Sequence, residues 1–251
     1  MKGTSFQKPF EFKLAVEGEK WNQGDLISGV LTVKNHGTEP LSLQGTQIAL
    51  AYGDLDGVRE KKPDAFEVQS SVPMSVDQKL DPQAEASFPW KFQTDRNCAI
   101  SDKSSSLFLL YGNGAAGITS GQLQLLVLPV TLIQDFISLM TIEYKFVVKI
   151  QKFNKGCVEI KFTPPSSKNF AAVENLFVSF KFEGEQFHVR YLFNVKKLDA
   201  SAGMTLKKIK KDISQSFGPS QYLLSNGRLN HEKVGAAIGE VIGQLGSLLT
   251  V

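Results

Sequence analysis

Apolar and polar side chains alternate through most of the first 200 residues, and a chain with a period of two buries its apolar side only by pairing strands into sheets. Phe10, Phe12, Leu14 and Val16 alternate with Glu11, Lys13 and Ala15, which predicts a strand with one dry and one wet face. A turn is expected at 17–20, then strands at 26–33 (LISGVLTV) and 41–52 (LSLQGTQIALAY), separated by the turn-forming NHGTEP. The stretch GDLDG opens a polar loop, and 59–79 is mostly polar. Within 87–94 (SFPWKFQT), Phe88, Trp90 and Phe92 share a face and Pro89 confines the strand to an edge or bulge. Strands at 104–111 and 122–128 make about seven in the first 130 residues, a density typical of a sandwich.

The same alternation returns downstream. Ile142, Tyr144, Phe146, Val148 and Ile150 fit one strand, and Val158, Ile160 and Phe162 another that stops at Pro164-Pro165. Val178, Phe180 and Phe182 face Phe187, Val189, Tyr191, Phe193 and Val195 across EGEQ, the clearest hairpin in the chain. Beyond Leu198 the period changes: Leu206, Ile209, Ile213 and Phe217 recur at helical spacing with lysines off the stripe, predicting a basic amphipathic helix. A second helix is expected from Val234, Ile238, Val241, Ile242 and Leu245, with Asn230 as N-cap. Gly235, Gly239 and Gly243 line one side of it; a glycine inside a helix costs about 1 kcal/mol, so close backbone packing is the expected compensation.

At 251 residues the chain is long enough for two domains, and its charge divides accordingly. Residues 1–140 carry 12 Lys/Arg against 16 Asp/Glu, a net of −4, whereas 141–251 carry 16 against 9, a net of +7. No stretch approaches the roughly 18 apolar residues that cross a bilayer, and MKGTSFQKPFEFK lacks the apolar core of a signal peptide, so a soluble, cytoplasmic protein is expected. Cys98 and Cys157 stand 59 residues apart with no ligand-spaced neighbour, and His36, His188 and His231 form no local motif. No metal, cofactor or catalytic residue is predicted.

The stretch LFLLYGNGAAG places Gly112, Gly114 and Gly117 in a Gly-x-Gly-x-x-Gly pattern after an apolar run. A dinucleotide site needs a helix there, whose free N–H groups hold the pyrophosphate. ITSG followed by LQLLVLP reads as another strand, which leaves no room for a crossover and makes Asp135, about 20 residues on, a coincidence. A connection between antiparallel strands is expected instead.

Two longer segments carry a family resemblance. WNQGDLISGVLTVKNHGTEPLSLQGTQIALAYG resembles the arrestin amino-terminal module, in which a Gly-rich strand, a turn and a long strand ending in an aromatic residue follow one another. LDPQAEASFPWKFQTDRNCAISDKSSSLFLLYG resembles the same family's F-P-F-x-F segment, small-residue stretch and following strand. The likeness covers about residues 8–130, and the bacterial sporulation-control group within this family is similar in total length. It implies a mainly β protein of two tandem immunoglobulin-like, arrestin-like antiparallel sandwiches with one or two C-terminal helices: lobes at 1–130 and 131–251, the second smaller. Residues 131–198 are short for a full sandwich, which the helices would have to complete. It also implies a non-catalytic scaffold or adaptor that binds a protein partner, a functional step that fold alone does not prove.

Lys196, Lys197, Lys207, Lys208, Lys210 and Lys211 form the candidate surface for an anionic partner, protein or membrane, with a solvated helix face as the plain alternative. Edge strands and the polar segment 59–79 are further recognition elements. Nucleic acid is not expected, because Phe180, Phe182, Phe187 and Phe193 alternate as a core face does, leaving His188, Arg190, Leu192 and Asn194 opposite. The rival reading is a hydrolase assembled from distant residues. It requires His188 or His36 in a concave site within hydrogen-bond reach of a Ser or Cys.

Overall fold

In the computed structural model, residues 1–74, 79–114, 121–199 and 205–246 are described. The chain separates into two compact units, Met1–Leu128 and Pro129–Val251.

The first unit contains β1 (Lys2–Gln7), β2 (Phe10–Val16), β3 (Trp21–Asn22), β4 (Leu26–Asn35), β5 (Leu41–Ser42), β6 (Thr46–Asp54), α1 (Leu55–Arg59), β7 (Phe66–Pro73), β8 (Lys79–Leu80), β9 (Glu85–Gln93), β10 (Ser105–Asn113), β11 (Gly121–Gln124) and β12 (Val127–Leu128). Two four-stranded antiparallel sheets, ordered β1-β2-β4-β9 and β11-β10-β6-β7, build the sandwich. Phe12, Leu14, Ile27, Leu31 and Val33 of the first sheet are buried, as are Ile48, Leu50, Leu107, Leu109 and Tyr111 of the second. β9 lies at a sheet edge, where the missing N–H of Pro89 costs the ladder least.

The 41–52 strand is in fact two. Gly45 turns the chain with φ +84°, so Leu41–Ser42 pairs with β8 and only β6 enters the large sheet. Likewise 122–128 divides into β11 and β12, which join different sheets. GDLDG becomes helix α1 rather than loop, with Asp54 accepting from Gly57 N at its start. The polar 59–79 segment holds β7, an edge strand whose exposed side chains hide its pairing from a hydropathy pattern. β1 carries no clear alternation and is visible only in its pairing with β2. Between Gly112 and Gly121 the chain reverses: β10 and β11 pair antiparallel from Tyr111↔Gly121 to Phe108↔Gln124, the geometry of a connected hairpin and not of a nucleotide-binding crossover. Gly117 itself lies outside the described residues.

The second unit contains α2 (Thr131–Ile142), β13 (Val147–Asn154), β14 (Cys157–Thr163), β15 (Val173–Glu183), β16 (Gln186–Asp199), β17 (Thr205–Phe217), α3 (Pro219–Tyr222) and α4 (His231–Gly246). Its strands form one antiparallel sheet in sequence order. The EGEQ hairpin is as expected, with Phe182↔Phe187 and Glu183↔Gln186 flanking a two-residue turn in which Gly184 has φ +57°. The layer facing this sheet is helical rather than a second sheet. Phe136 of α2 packs edge-on to Phe180 at 4.9 Å, and Gln215 of β17 donates to Ala237 O of α4 at 2.9 Å.

Two helix assignments change. The basic helix at Leu206–Phe217 is a strand, β17: Ile209, Ile213 and Phe217 lie four apart, a spacing that is both one helical turn and an even number of strand positions. Exposure alternates from Lys208 to Phe217, and each residue from 205 to 217 has a partner on β16. Conversely, Ile142 ends helix α2, and the match of Ile142, Tyr144 and Phe146 to a strand is accidental. The C-terminal helix is as expected, Asn230 Oδ1 accepting from Lys233 N at 3.2 Å. Its glycines admit a close neighbour at two positions. Tyr144 Oη donates to Gly235 O at 2.7 Å, and a Cβ on Gly239 would lie 3.4 Å from the same Oη.

Candidate functional site

Strand alternation sends Phe180 and Phe182 of β15 and Phe187, Tyr191 and Phe193 of β16 inward and leaves a mostly polar face outward, on which Phe177 and Leu192 are the apolar exceptions. Register then composes rows across this face: Lys181, His188 and Ser216 in one, and Ser179, Arg190 and Ser214 in the next. With Asn154, Lys155, Cys157, Glu159 and Glu183 they line a groove of about 400 Å³. His188 Nδ1 and Ser216 Oγ are 2.7 Å apart, and His188 Nε2 lies 3.6 Å from Glu183 Oε2. Glu183 in turn accepts from Lys181 Nζ at 2.8 Å. The lysine, and secondarily the histidine, hold the Glu183 carboxyl below the usual carboxylate range. Arg190 grips Asp212 by a fork, its Nε 3.0 Å from both carboxylate oxygens, and this hydrogen bonding depresses the Asp212 carboxyl likewise.

The reach that the hydrolase reading demanded of His188 is therefore present, with Ser216 as its partner. His36 makes a different contact: its Nε2 lies 2.7 Å from Glu11 Oε2. A larger groove of about 670 Å³ in the first unit has Leu55, Val58 and Phe108 among its lining, with Arg59, Lys103 and Gln122, and no serine–histidine pair. Its size does not make it the chemical site.

The six lysines do not share a helix face, since the segment is a strand. Lys196 and Lys208 are register partners on the polar face and both reach Glu174, at 2.8 and 3.5 Å. Lys210 sits opposite Asn194 on that same face. Lys207 and Lys211 alternate to the helix side. Lys211 Nζ donates to Gln244 O at 3.1 Å in the last turn of α4, where a cation suits the helix dipole. Lys197 is paired with Lys207 in the ladder; its side chain lies outside the described residues. Sequence reasoning missed Ser216 because its meeting with His188 depends on the β16–β17 register, which a helix at 206–217 would abolish; Glu183 stands at the end of the predicted β15–β16 hairpin and reads as part of its turn.

Both cysteines are free. Burial pushes the Cys98 thiol up to about 12, beyond what the Thr94 and backbone hydrogen bonds offset. Cys157 is raised less, again by burial, with Lys181 opposing. A thiol-specific disulfide reagent at pH 8 is expected to label Cys157 first and Cys98 only on unfolding; equal native rates at the two sites would contradict that burial.

No family model matches the chain, and no curated protein matches it in sequence. Its fold does have a counterpart. The crystal structure of Spo0M, sporulation control protein, from Bacillus subtilis superposes with a TM-score of 0.68 over 95% of this chain and 100% of that chain, at 13% identity. A second solved structure, the alkylpurine DNA glycosylase AlkC of Pseudomonas fluorescens bound to DNA containing an abasic site analog, reaches a TM-score of 0.30 over 47% of this chain and 30% of its own, at 11% identity. That likeness is too low to argue from. The first shows that the chain shares that protein's fold, which is arrestin-like.

Proposed function

We propose that this arrestin-like chain is a non-catalytic, cytoplasmic adaptor that holds an acidic, extended segment of a protein partner as a sixth strand beside β17. The observation that carries this reading is the edge itself. β17 pairs with β16 through 13 residues without a register shift, and it ends the sheet order. The other edges of the large sheets are less suitable: β13 and β7 are interrupted by bulges, β9 contains Pro89, and β1 and β11 are only 6 and 4 residues long. An added strand lies in the sheet plane, with its side chains alternating to both sides. Acidic residues of such a strand would meet Lys208 and Lys210 on one side and Lys207 and Lys211 on the other, the arrangement the register provides.

A flat bilayer would use only one of those sides, which disfavours membrane docking by the same lysines. Among the described residues no helix is long and apolar enough to cross a membrane. Lysines on an edge also deter edge-to-edge aggregation, so a direct test is required. A fluorescein-labelled extended peptide with paired glutamates between valines, so that acidic side chains fall on both sides of the strand, is expected to bind the full chain in fluorescence anisotropy, more weakly as salt rises. Lys208→Glu with Lys210→Glu should weaken it by tenfold or more, about 1.4 kcal/mol. Unaltered binding by that double variant, or retention on phosphatidylserine vesicles in place of peptide binding, refutes the reading.

A further inference from the structure

We infer that Ser216 is an acylatable nucleophile, activated by His188 and acting on small carboxylic esters in the open groove of the second sheet. The inference stands independently of the β17 edge and its partner. Four serine and cysteine side chains line this groove, Cys157, Ser179, Ser214 and Ser216, and only Ser216 contacts a base. Ser214 sits opposite Arg190, whose guanidinium donates hydrogen bonds and cannot take a proton. His188 can. For its Nδ1 to accept the Ser216 hydroxyl, the ring proton must reside on Nε2, and the nearest carboxylate to Nε2 is Glu183 at 3.6 Å. Glu183 is kept charged and oriented by Lys181, so it serves as the positioning residue for the imidazole.

Nucleophile, base and orienting carboxylate thus lie in a chain on three successive strands, with cross-strand pairing setting their spacing. In the acylation step the Ser216 Oγ–H proton moves to His188 Nδ1 while Oγ bonds to the ester carbonyl carbon. The adduct collapses, the bond from that carbon to the alcohol oxygen breaks, and Nδ1 returns the proton to the leaving oxygen. The products are a Ser216 ester and a free alcohol.

The same geometry makes the reaction stoichiometric. β16 is an interior strand whose backbone N–H groups lie in the sheet plane and pair with β15 and β17. Side chains stand perpendicular to that plane, so an oxyanion forming above the sheet meets no aligned pair of backbone donors, the largest aid to rapid turnover. Acylation by an activated ester expels a good leaving group, whereas hydrolysis of the Ser216 ester must expel the serine alkoxide through the same unaided oxyanion, so the acyl group stays on Ser216 far longer than it takes to arrive.

The test is the full chain with p-nitrophenyl acetate, followed by p-nitrophenolate release and peptide mass mapping. A burst approaching one equivalent is expected, with the acetyl group on Ser216. Ser216→Ala removes it, Ser138→Ala on α2, outside the groove, leaves it intact, and His188→Phe slows it on the order of 100-fold. Circular dichroism checks that each variant is folded. Nitrogen NMR of His188 should show the Nε2–H tautomer in the wild type and a shift toward the other tautomer in Glu183→Gln, a change that mere structural support would not produce. Acetylation confined to lysines, or an equal burst from Ser216→Ala, overturns the assignment.

Discussion

Phe136→Ala is expected to lower the unfolding free energy of the second unit by about 3–5 kcal/mol, the usual cost of deleting a fully buried phenylalanine. Phe136 is wholly inaccessible and stands edge-on to Phe180 at 4.9 Å, with Tyr191 at 6.3 Å. It is a central knob of α2, flanked by Leu132, Ile133, Leu139 and Met140 on the same buried stripe. Because the facing layer of this unit is helical, no second sheet is there to close over the vacancy, and relaxation can recover only part of the loss. The measurement separates the units cleanly. Both tryptophans, Trp21 and Trp90, lie in the first unit, so tryptophan fluorescence follows that unit alone. In denaturant titration the far-ultraviolet circular dichroism should show an early transition that fluorescence does not, and Phe136→Leu should restore most of the stability. Coincident early transitions in both signals would mean that the units unfold together and the assignment of the loss to the second unit is wrong.

How far the sequence discloses this architecture depends on which spacing is ambiguous. Alternation identifies β2, β4, β14 and the β15–β16 hairpin because Phe10 to Val16 and Phe187 to Val195 leave no helical alternative. It fails for β17, where Ile209, Ile213 and Phe217 satisfy both periods and only polar side chains, two of them lysines, stand between them. It fails for α2 in the opposite direction. Leu132, Ile133, Phe136, Leu139 and Met140 are a helical stripe, but a strand pattern running on from Ile142 draws attention away from it. Edge strands β1 and β7 lack a buried face along their length, so their pairing is written in the backbone and not in hydropathy. The site suffers from the first of these errors. His188 and Arg190 are readable as neighbours on one face, but Ser216 joins them only through a register fixed by 13 consecutive pairs. Long-range pairing of this kind is invisible to local propensity.

The converse perturbation belongs to the first unit. Asn35, at the end of β4, has no exposure, and its role is larger than the turn propensity of NHGTEP indicates. Its Nδ2 donates to Glu39 O at 2.8 Å, Leu80 O at 3.0 Å and Asp81 O at 3.3 Å, while Oδ1 accepts from Gly37 N at 2.7 Å. One side chain thus ties the turn after β4 to the segment around β8. Leucine of similar size fills the space but strands these backbone groups, each unsatisfied buried group costing about 1–3 kcal/mol. Because some of them regain water at the turn, Asn35→Leu is expected to cost about 3–4 kcal/mol in total. Asn35→Asp should cost less at neutral pH than leucine only if the acceptor bond to Gly37 outweighs the repulsion between a carboxylate and three facing carbonyl oxygens. Three carbonyls against one amide favour the repulsion, so aspartate is expected to be at least as damaging as leucine and to recover when acid protonates it. Tryptophan fluorescence now reports the loss and the second unit's transition stays in place. A neutral Asn35→Leu variant would show that solvent, not this side chain, satisfies the turn.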